Sequence, residues 1–184
     1  TVWEELGYTG TGMKIAIIDT GLDLDHPSFA ADPETNENSL TQADIAAVLT
    51  DLNAYARRNV ITAKTLYRSA KVLFACNYVD SSLTADHSMD NQGDHGTHVA
   101  GIAAANALEG TTVVGMAPDA QIIVMKVFGA AGGAYTDDIV AALEDAMTLG
   151  CDVVNLSLGS SAGFSSTDTE IDLIYQRLAE QDII

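Results

Sequence analysis

Basic residues are scarce in this chain. Its 184 residues carry 8 Lys and Arg against 26 Asp and Glu, a formal charge of −18. A surface of that sign is repelled by phosphate backbones, so nucleic acid is excluded as a partner. The acidity reads as solubility rather than as calcium storage. Cysteine is rarer still, with only Cys76 and Cys151, and so few thiols leave the redox compartment open. Both stand in apolar, strand-like runs, Val72 to Cys76 and Cys151 to Val154. They read as two free, buried thiols, with a single bridge as the alternative. No apolar run approaches the length of a membrane span, so no span is expected in this chain. Thr1 does not begin a signal peptide, and a secreted form would have shed its targeting segment. Hydrophobic residues, by contrast, make up 47%. That excludes a disordered chain, and the length suffices for one domain with a real core.

The chemistry concentrates in Gly93-Asp94-His95-Gly96-Thr97-His98-Val99-Ala100-Gly101. Residues 95 to 105 offer almost no bulk, so a helix built from them can lie very close to a sheet. His95 falls in the first turn, where the positive end of the helix dipole favours a neutral imidazole, the form a general base requires. His98 reads as a buried, hydrogen-bonded structural histidine. His95 and His98 stand three apart, but no Glu follows His95 in the zincin pattern and no third ligand accompanies them, so no metal is assigned.

Residues 95 to 101, His-Gly-Thr-His-Val-Ala-Gly, resemble the histidine motif of the subtilisin-like serine proteases, the subtilases. A second resemblance to the same family lies upstream. Met13 to Ile18 is an apolar run of the kind buried on both faces of a parallel sheet, and it ends at Asp19-Thr20-Gly21. A carboxylate at the C-terminal end of such a strand stands where open α/β sheets form active sites. A dinucleotide fold is excluded here, because the glycines at 7, 10 and 12 precede the strand instead of following it. The extended pattern Ile17-Ile18-Asp19-Thr20-Gly21-Leu22-Asp23 with His26-Pro27 is similar to the subtilase pattern around its catalytic aspartate. An aspartic protease would need two Asp-Thr-Gly loops in a β-rich context.

The resemblance implies a catalytic pair, Asp19 orienting the imidazole and His95 acting as base and then acid. It implies a serine endopeptidase acting on polypeptide substrates, extracellular, secreted or associated with the cell envelope. It also implies that Gly132 and Gly133 lie on an edge that pairs with substrate backbone. A missing Cβ lets a peptide approach in β fashion, with a flexible turn as the alternative. Ser157, Leu158 and Gly159, in Val153-Val154-Asn155-Leu156-Ser157-Leu158-Gly159, resemble the wall of the family's specificity pocket. Asn106 to Thr111 resembles the family's calcium loop by position but departs from it in composition. Glu109 is its one carboxylate, far short of a calcium ligand set, and no cofactor is assigned.

Two family parts have no counterpart among the 184 residues. No Gly-Thr-Ser-x-Ala motif occurs. The oxyanion asparagine belongs after the strand that Ile183 begins, and Asn155 stands in a different motif. The expectation is therefore the N-terminal part of a subtilase catalytic domain over residues 1–184, inactive alone, whose partner is the remaining C-terminal part. The competing reading is an inactive subtilase-like module that binds peptides or presents a surface.

The fold expected is a three-layer α/β/α domain with a mainly parallel sheet and right-handed crossovers. Strands are expected near 13–18, 71–78, 121–128 and 152–157. A helical insertion is expected at about 30–70, similar to cell-envelope proteinases and C5a-peptidase-like members. Its first helix is capped by Ser39 or Thr41 and carries Ile45, Val48, Leu49, Leu52 and Ala56, with Arg57 and Arg58 at its end; a short helix or irregular segment follows from about Thr62 to Ala70. The insertion reads as a lid. Thr136 opens a further helix that Gly150 ends, and Thr167-x-x-Glu170 is a capping box for another.

Overall fold

The computed structural model describes residues 2–80, 82–86, 93–130, 132–159 and 169–184. After a short helix α1 (Val2–Leu6), the apolar run after Gly12 forms β1 (Lys14–Asp19), buried at every position. Three further strands follow, β2 (Val72–Asn77), β3 (Gln121–Lys126) and β4 (Val153–Asn155). They form one parallel sheet in the order β2-β3-β1-β4. The expected strands are all present. β3 and β4 are shorter than their apolar runs, because β4 pairs only as far as Asn155 opposite Ile17. Leu156 and Ser157 lie beyond it. Backbone bonds from Val154 to Ile184 and from Ile184 to Asp152 begin a further parallel line outside β4.

Alternation along the strands builds two cores. Ala16, Ile18, Ile123 and Met125 face one side, and Ile15, Ile17, Ile122 and Val124 the other. In β2 a bulge between Val72 and Phe74 puts Leu73 and Phe74 in the same core while Val72 and Ala75 face the opposite one. Helix α5 (His95–Ala104) covers the second face with Val99, Ala100 and Ala104. The first face is covered by α6 (Thr136–Thr148) and α7 (Thr169–Glu180) together with the helices of the insertion. This is the three-layer α/β/α arrangement. From α7, Ile174 and Leu178 are buried, each side chain contributing about 1.5–3 kcal/mol. Thr167 of the expected capping box lies outside the described residues.

The insertion does not form one continuous helix. Thr41, not Ser39, caps α2 (Gln42–Val48) in a capping box whose Asp44 carboxylate, bonded by the Thr41 amide and hydroxyl, is held below the usual carboxylate range. A 3-10 turn follows at Leu49–Asp51; Leu52 is then extended, and α3 (Asn53–Arg57) starts afresh. The break has a tertiary cause. Asp145 of α6 accepts hydrogen bonds from the Asn53 and Ala54 amides at 2.6 and 2.9 Å, so a carboxylate from another helix caps α3. Thr62 caps a last short helix, α4 (Ala63–Leu66). Helix α6 starts at Thr136 with no side-chain cap, and Gly150 (φ 65°) follows its end in the left-handed conformation.

Cys76 and Cys151 are both free and buried, and burial pushes the Cys76 thiol up to about 12 and the Cys151 thiol higher still. These thiols are inert. Lys71 is also enclosed; its ammonium donates to the Pro118 and Ala120 carbonyls at 2.6 and 2.9 Å. Loss of water pulls it from its ordinary 10.5 down to about 8, with Asp119 opposing the shift. Between those values the folded chain has released a proton that the unfolded chain keeps, so Lys71 adds stability as pH rises through the window. Relative to Lys71→Met, the wild-type chain is expected to gain on the order of 2 kcal/mol between pH 8 and 10.5, read from urea midpoints. A constant difference across that range would exclude the effect.

Candidate active site

All four strands end on polar residues at one edge of the sheet: Asp19, Asn77, Lys126 and Asn155. Asp19 is 1% exposed, and one of its oxygens, Oδ1, accepts the Thr20 amide at 2.7 Å. The same oxygen lies 2.8 Å from Nδ1 of His95, the first residue of α5. A carboxylate can only accept, so Nδ1 carries the proton, and in the neutral imidazole the lone pair is then on Nε2. The imidazole side chain is 49% exposed, open to a reactant on that side. Asp19 Oδ2 is buried with no hydrogen-bond partner among the described residues.

Two hydrogen bonds and one glycine hold the pair. The Thr20 hydroxyl accepts the Gly96 amide at 2.9 Å, tying the start of α5 to the turn after β1. The Thr97 hydroxyl accepts the Asp23 amide at 2.8 Å. Gly96 permits the approach, since a Cβ there would stand 2.2 Å from the Gly21 carbonyl oxygen and 3.1 Å from Asp19 Oδ1. The close-packing argument made for the glycines of α5 holds for Gly96 and fails for Gly101, where a Cβ would meet nothing within 4 Å. His98 is exposed rather than buried. It lines a groove of about 580 Å³ with His26, Phe29, Asp94, Thr97 and Ile102, because the sheet-facing side of α5 is occupied by Val99 and Ala100.

In the strand order, β3 and β4 flank β1, so the segments that follow them lie on either side of Asp19 at this edge. After β3, Phe128 bridges antiparallel to Ala134, Gly132 takes a positive φ of 80°, and its amide bonds the Gly129 carbonyl. A Cβ on Gly133 would meet open space. After β4, Ser157 is exposed and donates to Asn155 Oδ1 at 2.8 Å, Leu158 packs partly against the core, and Gly159 is exposed and open.

In the Asn106 to Thr111 turn, Asn106 Oδ1 is buried without a partner among the described residues, while its Nδ2 donates to the Pro118 carbonyl at 3.0 Å. Glu109 points to solvent, and among the described residues no three acidic, His or Cys side chains could hold a metal. The turn offers calcium one carboxylate, Glu109.

The Subtilase family model matches residues 10–184. The chain belongs to the subtilase family. Among other subtilases it is 36% identical to the PII-type proteinase of Lactococcus lactis subsp. cremoris, over 88% of this chain and 8% of that protein. It is 35% identical to the minor extracellular protease Vpr of Bacillus subtilis, over 85% of this chain and 15% of that one. Subtilisin E of Bacillus subtilis is 30% identical, over 90% of this chain and 32% of its own. The chain thus spans less than a third of the length of each of these relatives.

Sequence reasoning passed over two residues that support this subtilase edge. In sequence Thr20 is only a part of the aspartate motif, yet its peptide and hydroxyl join Asp19 to α5. Lys126 is fully buried, lies opposite Asp19 in register, and its ammonium donates to the Thr20 carbonyl at 2.6 Å. A lysine between Met125 and Val127, in an apolar run, is the available signal.

Gly96→Ala is expected to cost about 2–4 kcal/mol in urea unfolding, since the added methyl meets backbone that cannot yield cheaply. It should also shift the downfield Nδ1 proton resonance of His95. An unchanged midpoint and resonance would show that α5 does not need this approach.

Proposed function

We propose that this chain is the aspartate- and histidine-bearing part of a serine endopeptidase. The carrying observation is the 2.8 Å contact between buried Asp19 and half-exposed His95 at the C-terminal edge of the sheet. Membership of the subtilase family and likeness to proteins named as proteinases and subtilisins support the reading. Residues 1–184 form the N-terminal part of the catalytic domain, with the helical insertion at about 30–70. No Gly-Thr-Ser-x-Ala motif stands among them, and the serine and the oxyanion asparagine come from elsewhere in the protein.

In this reaction Nε2 of His95 takes the proton of the attacking serine and passes it to the leaving amine. Asp19 holds the tautomer that leaves Nε2 free to accept and stabilises the imidazolium formed in between. The substrate is a polypeptide, paired in extended form against Gly132 and Gly133 on one side and Ser157, Leu158 and Gly159 on the other. The location is extracellular, a reading supported by likeness to a minor extracellular protease.

Fluorophosphonate labelling of the full-length protein tests this. A serine outside residues 1–184 should be labelled, and labelling should vanish in His95→Ala. Asp19→Asn should lower kcat by about 10⁴-fold by favouring the wrong tautomer. The isolated 184 residues should neither label nor cleave. Turnover by the isolated chain would overturn the division of the triad. No labelling of a folded full-length protein would leave a peptide-binding module instead.

A further inference from the structure

The insertion between β1 and β2 reads from sequence as a lid, yet α3 is bonded at both ends to α6. At its start the Asp145 carboxylate takes the Asn53 and Ala54 amides, and it also accepts the Tyr78 hydroxyl at 2.7 Å. At its end Arg57 pairs with the Asp138 carboxylate, which is 6% exposed. Asp138 and Asp145 stand two turns apart on α6, so α3 runs antiparallel along one face of that helix.

Arg57 makes two further hydrogen bonds, both with backbone, and its guanidinium also lies 3.8 Å from the exposed Asp137 carboxylate. Its guanidinium donates to the Tyr78 carbonyl at 3.2 Å and to the Asp137 carbonyl at 2.9 Å. These carbonyls belong to the two segments that bound the loop carrying Gly132 and Gly133. On one side, Tyr78 leads to Asp80, whose amide is held by Asn77 Oδ1. Asp80 presses on Gly129 closely enough that a Cβ there would lie 2.6 Å from its Oδ1. On the other side, Asp137 follows Tyr135 and Thr136, and the Tyr135 carbonyl accepts the Asp138 and Ile139 amides. One planar fork therefore ties the segment that abuts the start of the loop to the helix that receives its end. A lysine ammonium, a compact point charge, does not reproduce that geometry.

We infer that Arg57 is a positioning residue for substrate, and that the insertion is a brace rather than a lid. By holding Tyr78 and the first turn of α6 at a set spacing, Arg57 keeps the Phe128–Ala134 bridge, and with it Gly132 and Gly133, in the shape that pairs with an extended peptide. The inference rests on the peptidase reading for its substrate. Its mechanical part stands apart from that reading.

The experiment uses the full-length protein with Arg57→Lys and Arg57→Leu, and Thr41→Ala as a control that weakens the insertion at the cap of α2, away from Arg57. For a peptide substrate, Arg57→Lys should raise KM about tenfold with kcat within about twofold, the pattern of lost binding rather than lost chemistry. Labelling by a small fluorophosphonate, which needs His95 but no extended edge, should be unchanged. Thr41→Ala should alter neither constant. Amide exchange at Gly132, Asp138 and Ile139 should rise in Arg57→Lys whether or not the protein cleaves peptides. If Arg57→Leu fails to fold, Asp138→Asn removes the same ion pair and should give the same split. Unchanged exchange and unchanged KM in Arg57→Lys, with only a lower melting temperature, would overturn the inference. Loss of labelling together with kcat would also overturn it, since the damage would then lie at His95. Absence of labelling and cleavage in the wild-type protein would instead sink the peptidase reading, leaving exchange to decide the brace.

Discussion

Helix α5 must come within backbone contact of the turn that ends β1, and the rest of the site depends on that approach. Gly96 has no room for a methyl group, because the Gly21 carbonyl and the Asp19 carboxylate stand where one would go. The approach leaves the Gly96 amide to the Thr20 hydroxyl and brings His95 Nδ1 to Asp19 Oδ1. A buried carboxylate is costly unless its oxygens are bonded. In Asp19 only Oδ1 is bonded, by the Thr20 amide and the imidazole, while Oδ2 is buried without a partner among the described residues, so the ring's orientation is part of what makes burial tolerable.

The opposite face of the sheet obeys a related constraint with different partners. Asp145 is fully enclosed, and burial raises its carboxyl while the Ala54, Asn53 and Tyr78 donors pull it back down. Those donors come from the insertion and from the segment after β2. The charge therefore welds α3 to α6 instead of destabilising the fold. Both faces thus use a buried aspartate to fasten one segment to another: Asp19 orders the start of α5, and Asp145 orders the start of α3. The second fastening reaches the substrate side of the proposed site through Arg57, which links the insertion to loops at the sheet's functional edge.

Much of this was legible before any coordinates. Parallel strands follow from apolar runs buried on both faces, and the position of Asp19 at a strand end follows from where its run stops. What misled were features that depend on neighbours distant in sequence. The stretch from Thr41 to Arg58 has helical periodicity throughout, but its helix breaks at Leu52 because a carboxylate 92 residues away from Asn53 offers a better cap. His98 sits in a motif that suggests burial, but the two residues after it take the sheet-facing side of α5. Arg57 does stand in the last turn of a helix, as its charge suggests, but no local pattern shows that it also serves Tyr78, Asp137 and Asp138.

Local patterns by themselves determined the strands, the helix that carries His95, and the pairing of an aspartate motif with a histidine motif. Hydrophobic period and short motifs act over a few residues, and a sequence displays them directly. Only the tertiary structure decided which oxygen of Asp19 meets which nitrogen of His95, where the helices between β1 and β2 break, and that Arg57 links the segment after β2 to the first turn of α6. Those outcomes turn on ångström-scale distances between segments tens of residues apart. Such distances are set when the two cores close, and no local pattern encodes them.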